Sequence, residues 1–535
     1  FYVFLPAINI HDAKFYFFVL FLLIEFLLMN LPGDIKNISV YGFKHFLKSS
    51  NASKTFKVIL GLIVVAIFYD LSTKIIYSPI LMSKQYAQRI DVEVVDFSTI
   101  PPYNFNQTAI IDRDSSEKLG DKVMGEMTDL VSQFVVSREY SQIDYKNGTY
   151  RVTPLAYDGF IKYLKNKKEG IPGYIIVNTT TGETKLERLE DKMSYVPSAY
   201  LFDNLYRRLR FAYPFDIFGD PTFEIDDEGN PYYVCTTYTY GGISELKKVT
   251  GVILFSPVDG TGQKYKLDEI PTWVDRVYPE SLVTRELDDY GKYQKGYFNS
   301  FITQEGVIQT SEGYNYISKD GDIWLYTGMT SAVADESNVG FMLVNLRTHK
   351  AQYIASSGAD EYSVMASAEG EVLNYGYTST FPVLVNIDNK PIYILSLKDS
   401  AGLVKMYALV DSRDYQQVYT VKADKDAKSA IDSLIEQATL KPVQEEEKEL
   451  DTLSIEIKDI KQAIIEANTY LYLTSVNDEI YVIKLNEENA IKALFLEPND
   501  VITITYYLKG DAVYVESIDD IAKPITSPTV SLEEM

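Results

Sequence analysis

The sequence contains very little cysteine and histidine, and each shortage excludes a class of site. The single cysteine, Cys235, excludes an intramolecular disulfide and any metal cluster built on several cysteines. The three histidines, His11, His45 and His349, are too few for a His-rich zinc site. Because His11 and His45 lie in or beside apolar segments, a Ser-His-Asp triad would have to use His349. His349 stands in the turn NLRTHKAQ, and we interpret it as a solvated turn residue rather than a catalytic base.

Basic side chains are also scarce. The 535 residues include 51 Lys and Arg against 75 Asp and Glu, a net charge of -24. Residues 91–535 alone carry 42 basic and 71 acidic side chains. A surface of this charge repels phosphate backbones, so we expect no nucleic-acid partner. The 43 tyrosines and the hydrophobic fraction of 46% favour strand-rich folded domains, and the length allows two to four of them.

No catalytic or cofactor-binding motif stands out. There is no Walker lysine motif and no G-x-S-x-G elbow. The stretch EIDDEGNPYY resembles the start of a calcium loop, but Cys235 stands where the twelfth-position Glu is required. We favour a tight turn at Gly229, with a calcium site as the alternative. We assign no catalytic residue, metal ligand or cofactor, and predict that the protein is not an enzyme. The acidic pairs that could perform acid–base chemistry are Asp288 with Asp289 and Asp335 with Glu336.

Two long apolar segments predict a membrane region over residues 1–82 with two or more transmembrane helices. Residues 15–31 are apolar apart from Glu25 and Asn30, and residues 56–69 continue into a second apolar stretch. The opening FYVFLPAINI is a third apolar piece, and we interpret it as the end of a further helix. No charged n-region or cleavage site indicates a signal peptide. Glu25 is either a functional intramembrane carboxylate or a helix-packing contact.

The loop between the two segments predicts the orientation. Five lysines, opposed only by Asp34, make this loop cytoplasmic by the positive-inside rule. The chain after about residue 80 then lies outside the cell membrane, and the alternative keeps it in the cytosol. The lysines are Lys36, Lys44, Lys48, Lys54 and Lys57.

Hairpin patterns recur along the soluble part. In GYIIVNTTTGETKLERL, an apolar strand from Tyr174 meets a turn at Gly182, and an alternating strand from Lys185 returns. Longer versions, each of three antiparallel strands, begin at residues 231, 322 and 391. The repeated unit is therefore a helix followed by a three-stranded antiparallel meander, which makes the fold class α+β.

Helices are predicted where apolar residues recur at helical spacing. The first begins at the N-cap Asp114, with Glu117 in a capping box. The second is predicted over RVTPLAYDGFIKYLKNKK, from Arg151, and the third over AYLFDNLYRRLRF. A basic spot on the third is assigned to pairing with local carboxylates or, alternatively, to an acidic partner. The spot is Arg207, Arg208 and Arg210. A fourth helix is predicted over DKDAKSAIDSLIEQATL. The positions predicted to face a core are Leu119, Val123, Met127, Val131 and Phe134 on the first helix; Tyr157, Phe160, Ile161 and Leu164 on the second; Leu201, Leu205 and Leu209 on the third; and Ala427, Ile431, Leu434 and Ile435 on the fourth.

The strands beginning at residues 231 and 391 share a further pattern: an aromatic-rich strand, a glycine-containing turn and a returning strand with lysine. This pattern resembles tandem PepSY-like modules, with the best matches at residues 231–270 and 391–421. The longer run over about residues 40–430, including LGDKVMGEMTDLVSQF and LKDSAGLVKMYALVD, resembles uncharacterised membrane-anchored proteins of Gram-positive bacteria. The resemblance implies a place in the cell envelope, where some PepSY modules restrain proteases, and it implies no reaction.

A separate domain is predicted after the charged segment KPVQEEEKEL. Five strands with a helix after the third favour a small OB-like β-barrel. Cys235 is interpreted as a small core residue. Trp273 and Trp324 are interpreted as core or hairpin-face aromatics, with a binding platform as the alternative. The predicted organisation is a stalk at 83–113, module pairs at 114–280 and 281–440, a linker at 441–450, the barrel at 451–522 and a disordered tail at 523–535.

These features predict a membrane-anchored extracytoplasmic scaffold or binding protein of the cell envelope. Exposed hairpin edges and aromatic faces would contact a protein or cell-wall partner. Two alternatives stay open: a regulatory subunit of a membrane protease or transporter, and an acid–base hydrolase working in a groove between modules.

Overall fold

The computed structural model describes residues 1–29, 50–311, 313–331, 334–424, 426–439, 451–465, 468–484, 490–493, 496–509 and 512–522. The chain forms two compact units, Phe1–Thr439 and Leu440–Met535. Both are of mixed α+β composition and consist mostly of sheets. The predicted linker at 441–450 and the predicted tail at 523–535 lie outside the described residues.

Three helices come first: α1 (Ala13–Met29), α2 (Ser50–Ile76) and α3 (Pro79–Ala87). Among the described residues, one helical stretch, Lys57–Ile76, is long and apolar enough to cross a membrane, judged by length and composition. Helix α1 is apolar but has 17 residues, fewer than the roughly 20 that usually span a bilayer. A second transmembrane helix therefore stays a prediction.

Residues 1–12 pack on the body of the first unit instead of forming a helix. The ring of Tyr2 lies 5.4 Å from that of Phe202, and the Ile8 amide donates to the Pro214 carbonyl. The end of α2 returns to the same region, because a Cβ atom on Gly241 would come within 2.7 Å of the Tyr77 ring. Helix α1 therefore begins, and helix α2 ends, at neighbouring places on the body.

Four modules of one design follow. Each has a helix, two short strands that pair with the same neighbour, and three long antiparallel strands. Module 1 has α4 (Arg113–Glu126), β2 (Phe134–Val136), β3 (Ser141–Tyr145), β4 (Gly148–Tyr157), α5 (Phe160–Asn166), β5 (Ile171–Asn178) and β6 (Thr184–Met193). Module 2 has α6 (Leu205–Ala212), β7 (Ile217–Phe218), β8 (Thr222–Ile225), β9 (Pro231–Thr239), β10 (Lys248–Phe255) and β11 (Gly262–Lys266).

Modules 3 and 4 repeat the design. Module 3 has α7 (Glu280–Tyr293), β12 (Ile308–Thr310), β13 (Asn315–Lys319), β14 (Asp322–Ser331), β15 (Ala334–Asn345) and β16 (Ala351–Ala359). Module 4 has α8 (Glu361–Glu371), β17 (Thr378–Ser379), β18 (Val383–Ile387), β19 (Lys390–Lys398), β20 (Val404–Asp411) and β21 (Val418–Lys422), and α9 (Ala427–Thr439) follows it. The predicted repeat of a helix and an antiparallel meander is confirmed, with two short strands added in each module.

The predicted hairpin of module 1 is confirmed in its register. Tyr174 lies opposite Glu187 and Ile176 opposite Lys185, and Gly182 in the turn has a φ of 77°. A positive φ is the conformation that glycine adopts most easily.

Consecutive sheets share apolar cores, so most sheets are buried on both faces. On β10, Ile253 and Phe255 face module 1, whereas Val252 and Leu254 face module 3. Burial of both faces accounts for the unbroken apolar run GVILF. Further cores join the sheet of module 3 to that of module 4, and the sheet of module 4 to α9, through Leu343, Leu395, Leu409, Ile431 and Leu434.

Two predicted helices differ from the structure. Residues 151–157 form strand β4, and only Phe160–Asn166 is helical. Ile161, predicted to face the core, is 80% exposed. The run RVTPLAY is rich in β-branched residues, and pairing with β5 on one side overrides its helical spacing. The helix predicted at Asp114 begins earlier, because the Asp112 side chain accepts the N-cap hydrogen bond from Ser115.

Other inward positions are confirmed in part. Leu119, Val123 and Met127 pack against the first core, which also contains Leu205 and Leu209 of α6. Ile431 and Leu434 of α9 are fully buried in the core beneath the sheet of module 4. Val131 and Leu201 are exposed because they lie outside the helices, and Phe134 belongs to strand β2.

Residues 83–113 also differ from the predicted stalk. Strand β1 (Val92–Val95) pairs in parallel with β16 of module 3. Phe105 and Ile110 are buried in the core beneath the sheet of module 4, and the Tyr103 amide donates to the Asn386 carbonyl. The segment is therefore a strap across modules 3 and 4, since its apolar residues gain more by burial than by staying extended in water.

The second unit contains the predicted small barrel. Its five strands close in the order β22 (Asp451–Ile465), β23 (Asn468–Ser475), β24 (Ile480–Lys484), β26 (Ala512–Ala522) and β25 (Val501–Lys509). Helix α10 (Ala490–Ala493) follows the third strand, as predicted. The interior of the barrel is apolar, with Ile457, Leu473, Ile483, Ile502 and Ile504 fully buried.

Candidate functional site

A cleft of about 690 Å³ opens between the sheet of module 1 and the turn that joins β8 to β9. Four tyrosines line it: Tyr145, Tyr150, Tyr174 and Tyr232. The Tyr174 hydroxyl donates to the Gly229 carbonyl at 3.0 Å, which links the two walls. The rings of Tyr145 and Tyr150 meet edge to face at 5.9 Å. Such rings offer apolar faces and polar tips to a bound chain.

The cleft carries an excess of negative charge. Three cations are outnumbered by six carboxylates, and one of the carboxylates, Glu187, pairs with Lys185 at 2.6 Å. An excess of this sign attracts a positively charged ligand. The cations are Lys146, Lys185 and Arg188, and the carboxylates are Glu183, Glu187, Glu190, Asp191, Glu228 and Asp259.

Strand β6 borders this cleft as the last strand of its sheet. Within the part of the chain that the structure describes, β6 pairs with β5 alone. The outer edge of β6 therefore presents backbone donors and acceptors that a further strand could use. Its many charged side chains discourage unspecific pairing while leaving a strand of complementary charge able to bind.

A group of buried carboxyls lies where modules 1, 2 and 3 meet. Glu224 on β8 accepts hydrogen bonds from the backbone amides of Asp275 at 2.9 Å and Arg276 at 3.1 Å. Asp275 accepts from the Asp144 amide at 2.7 Å, and Asp144 accepts from the Ser318 hydroxyl. The carboxyls thus connect the modules through their backbones.

Burial changes the proton affinity of this group. It raises the pKa of Glu224 to about 7. Burial, reinforced by the charge of Glu224, raises the pKa of Asp275 well above its usual range, and burial also raises that of Asp144. Asp275 Oδ1 has no hydrogen-bond partner. The group can therefore hold protons near neutral pH, but Glu224 and Asp275 are sealed from solvent.

His349, the only histidine that could have served a catalytic triad, occupies a turn but is not solvated. Its Nε2 lies 2.8 Å from Glu286 Oε2, and its ring stacks on Tyr278 at 4.1 Å. Arg89 binds the same Glu286 at 3.0 Å and Asp289 at 2.8 Å. The prediction of a solvated side chain is wrong, because the contacts with Glu286 and Tyr278 hold the ring against the protein.

Asp288 and Asp289 are not brought together as an acid–base pair. Asp288 accepts hydrogen bonds from the Thr310 amide at 3.0 Å and hydroxyl at 2.9 Å, whereas Asp289 binds Arg89. The side chains of Asp335 and Glu336, on β15, lie outside the described residues.

Three further residues singled out in the sequence lie in the N-terminal region. The His11 carbonyl accepts a backbone hydrogen bond from Ser244, and Glu25 is half-buried on α1. His45 lies outside the described residues.

The stretch EIDDEGNPYY forms a tight turn, as favoured. Asp226 accepts hydrogen bonds from the amides of Glu228 and Asn230 and from the Asn230 side chain, and Gly229 has a φ of 90°. The acidic side chains do not converge, because Glu224 faces the module joint. Across the described ranges, no group of three or more His, Cys, Asp or Glu side chains is arranged to hold a metal ion.

Cys235 and Trp324 are core residues, as predicted, whereas Trp273 is partly buried and packs against the core between modules 2 and 3. Cys235 has no exposed surface, and burial raises the pKa of its thiol. Trp273 packs on Tyr232 at 5.1 Å, and the Trp324 indole donates to the Lys319 carbonyl at 3.2 Å.

The basic spot on α6 binds backbone rather than the predicted carboxylates. Arg207 and Arg208 donate to the carbonyls of Leu201 and Gly260, and Arg210 donates to those of Leu5 and Asp216. The prediction of local ion pairs is wrong here, since loops and the N-terminal segment bring carbonyls closer.

Sequence reasoning missed Glu224 and also Arg151 on β4. Each is a charged residue flanked by strand-forming residues, in TFEI and in YRVTP, and this pattern could have indicated a buried charge.

A scan against models of known protein families finds no match to this chain. A search of curated proteins finds no significant match either.

Proposed function

We propose that this chain is a membrane-anchored extracytoplasmic binding protein of the cell envelope, acting by contact and without catalysis of its own. The cleft beside β6 would bind an extended, basic segment of a protein partner. The observation that carries the proposal is the combination at one place of an open strand edge, four tyrosines and an excess of carboxylates.

A peptide suits this cleft better than a cell-wall glycan does. A strand edge offers backbone groups at the spacing of another extended chain, and side chains of the guest alternate between the cleft and solvent. Lysine and arginine in the guest would meet Glu190, Asp191 and Glu228. A glycan would use the tyrosine faces but not the strand edge.

The envelope location is supported by the candidate span Lys57–Ile76 and by the lysine-rich loop that precedes it. The resemblance to PepSY-like modules and the OB-like character of the barrel belong to the same proposal. A regulatory subunit of a membrane protease or transporter would be one form of this function, since such subunits act by contact. The hydrolase alternative gains nothing from Glu224 and Asp275, which no substrate can reach.

The test is peptide binding by the full chain in detergent, measured by fluorescence anisotropy. The probes are peptides of about ten residues: alternating Lys and Val, alternating Glu and Val, and a Lys–Val peptide N-methylated at every second residue. We expect the Lys–Val peptide to bind with an affinity that falls as salt rises. We expect N-methylation to weaken binding about tenfold or more, because it removes hydrogen bonds to one strand edge.

The matched variants are Glu190→Lys, in the cleft, and Glu371→Lys, at the exposed end of α8. The first should weaken binding and the second should leave it unchanged. Equal binding of the N-methylated peptide would remove the strand edge from the proposal. Saturable binding of a cell-wall glycan fragment, with no peptide bound, would replace the peptide by a glycan.

A further inference from the structure

A second, smaller cavity of about 290 Å³ lies at the junction of modules 1, 3 and 4 and shares no lining residue with the cleft. The strap residues Ala109 to Arg113 form one side of it. Strands β3, β4 and β13 and the segment before β18 form the others. The lining residues that matter here are Gln142, Arg151, Arg276, Tyr314, Tyr316 and Phe381.

Arg151 is the unusual member of this wall. Its side chain projects from the middle of β4, and the residue is 6% exposed. Its Nη1 donates to the Ile111 carbonyl and to the Ser116 hydroxyl. Both partners are neutral. Burial lowers the pKa of its guanidinium to about 10, and buried arginines are otherwise paired with a counter-charge.

The neighbouring charges already have partners. Arg276 pairs with Glu280, and Arg113 at the rim pairs with Glu117 at 3.2 Å. Asp112, the carboxylate in the cavity wall, pairs with Lys398 of module 4. Among the described residues no carboxylate pairs with Arg151, so one positive charge is left over at this cavity.

Other polar groups of the wall are also incompletely bonded. Gln142 donates through Nε2 to the Thr149 hydroxyl at 3.1 Å, whereas its Oε1 has no partner. Arg276 Nε has none either. The Arg276 Nε–H is a donor that an anion could satisfy, whereas the Gln142 Oε1 is an acceptor that would need a donor such as a water molecule. Tyr314, Tyr316 and Phe381 supply apolar surface beside them.

We propose that this cavity binds a small organic anion, with a carboxylate or phosphate group against Arg151 and an apolar body against the aromatic side chains. The guanidinium fork matches either oxyanion. A volume of about 290 Å³ lies at the lower end of the range for small-molecule sites, about 300–1,000 Å³. Because the cavity touches three modules and the strap, the ligand would hold these parts together.

The test is the thermal unfolding of the full chain in detergent, at constant ionic strength, with benzoate, benzamide or inorganic phosphate added. We expect benzoate to raise Tm in proportion to the logarithm of its concentration. Benzamide has the same shape without the charge and should leave Tm unchanged. A rise with phosphate but not with benzoate would assign the site to a phosphate group; no rise with either anion would overturn the proposal.

Arg151→Met is the decisive variant. Removing a buried cation that lacks a counter-charge should raise Tm without ligand, and the rise with benzoate should disappear. Arg413→Met, on an exposed arginine after β20 that lines neither the cleft nor this cavity, is the matched control and should keep the full response. A benzoate response that survives in Arg151→Met would overturn the proposal. Should that variant not fold, Arg151→Lys, which keeps the charge without the fork, is expected to weaken binding about tenfold, and an unchanged affinity would count against the site.

Discussion

At the scale of single residues, the joints between modules depend on buried charged groups rather than on apolar packing alone. Glu224 and Asp275 are sealed from solvent, and both are bonded to the backbone of a neighbouring segment. A buried carboxyl in this setting is stable in its neutral form, because ionisation would place charge in a medium of low dielectric constant. The joints should therefore respond to pH.

Stability should fall as the pH rises from about 4.5 to about 7. The pKa of Glu224 is raised from 4.5 to about 7 in the folded protein, so the folded state holds this proton more tightly than the unfolded state. Its stabilising effect is complete below the unfolded pKa and is lost as the pH rises through the folded pKa. Asp275 acts in the same direction. Calorimetric Tm values between pH 4 and pH 8 would measure the slope.

The control for this prediction is Glu224→Gln, which keeps the shape of the side chain but cannot ionise. We expect a flatter dependence of Tm on pH over the same window. A slope identical to that of the native chain would show that Glu224 does not contribute to it.

At the scale of elements, close backbone approach decides where helices can lie. Helix α7 carries Gly291, and a Cβ atom there would come within 2.1 Å of the Ile308 carbonyl oxygen just at the start of β12. The obstacle is backbone, which cannot rotate away as a side chain can. Gly370 in α8 has open space around it, with no atom within 4 Å of the same position.

Gly291→Ala and Gly370→Ala should therefore act in opposite directions. The first should destabilise the protein by roughly 1–3 kcal/mol, because the helix must move away from β12. The second should stabilise it by about 0.5–1 kcal/mol, since alanine costs less entropy in a helix than glycine. Thermal unfolding of both variants would measure the difference. A neutral Gly291→Ala would show that α7 does not pack as closely as described.

At the scale of the whole molecule, the proposed membrane anchor and the four modules belong to one chain, so the orientation of the anchor fixes the side of the membrane on which the modules lie. In the sequence, the lysine-rich loop separates α1 from α2, and the other ends of both helices contact the body. If both helices span the membrane, the loop and the body should therefore lie on its opposite sides. The native chain suits a labelling test, because its one cysteine, Cys235, is fully buried.

An impermeant maleimide should label Glu126→Cys, at the exposed end of α4, in intact wall-stripped cells. It should label Lys44→Cys, in the loop, only after permeabilisation. The native chain should stay unlabelled in both conditions. The reverse pattern would place the modules in the cytosol and remove the envelope from the proposed function.

Local patterns predicted the strands well. Strand hairpins such as Ile171–Asn178 with Thr184–Met193 were predictable because alternation and turn residues act over a few neighbouring positions. The helix predicted from Arg151 was wrong at its start, because β4 pairs with β2, β3 and β5, and the spacing of its own apolar residues does not reveal these partners. The prediction of a stalk was wrong because burial of Phe105 and Ile110 depends on the sheet of module 4, which is formed by a much later part of the chain.

The sequence by itself determined the α+β class, the recurrence of the meander, the small barrel and the apolar segment that can span a membrane. These depend on composition and on spacings of a few residues. Only the tertiary structure decided which charges are buried at the joints, which strand edge stays open, and where Arg151 is left without a counter-charge. Those features join residues that are distant in the sequence, such as Arg151 and Ile111 or Asp144 and Ser318, and no local pattern carries that information.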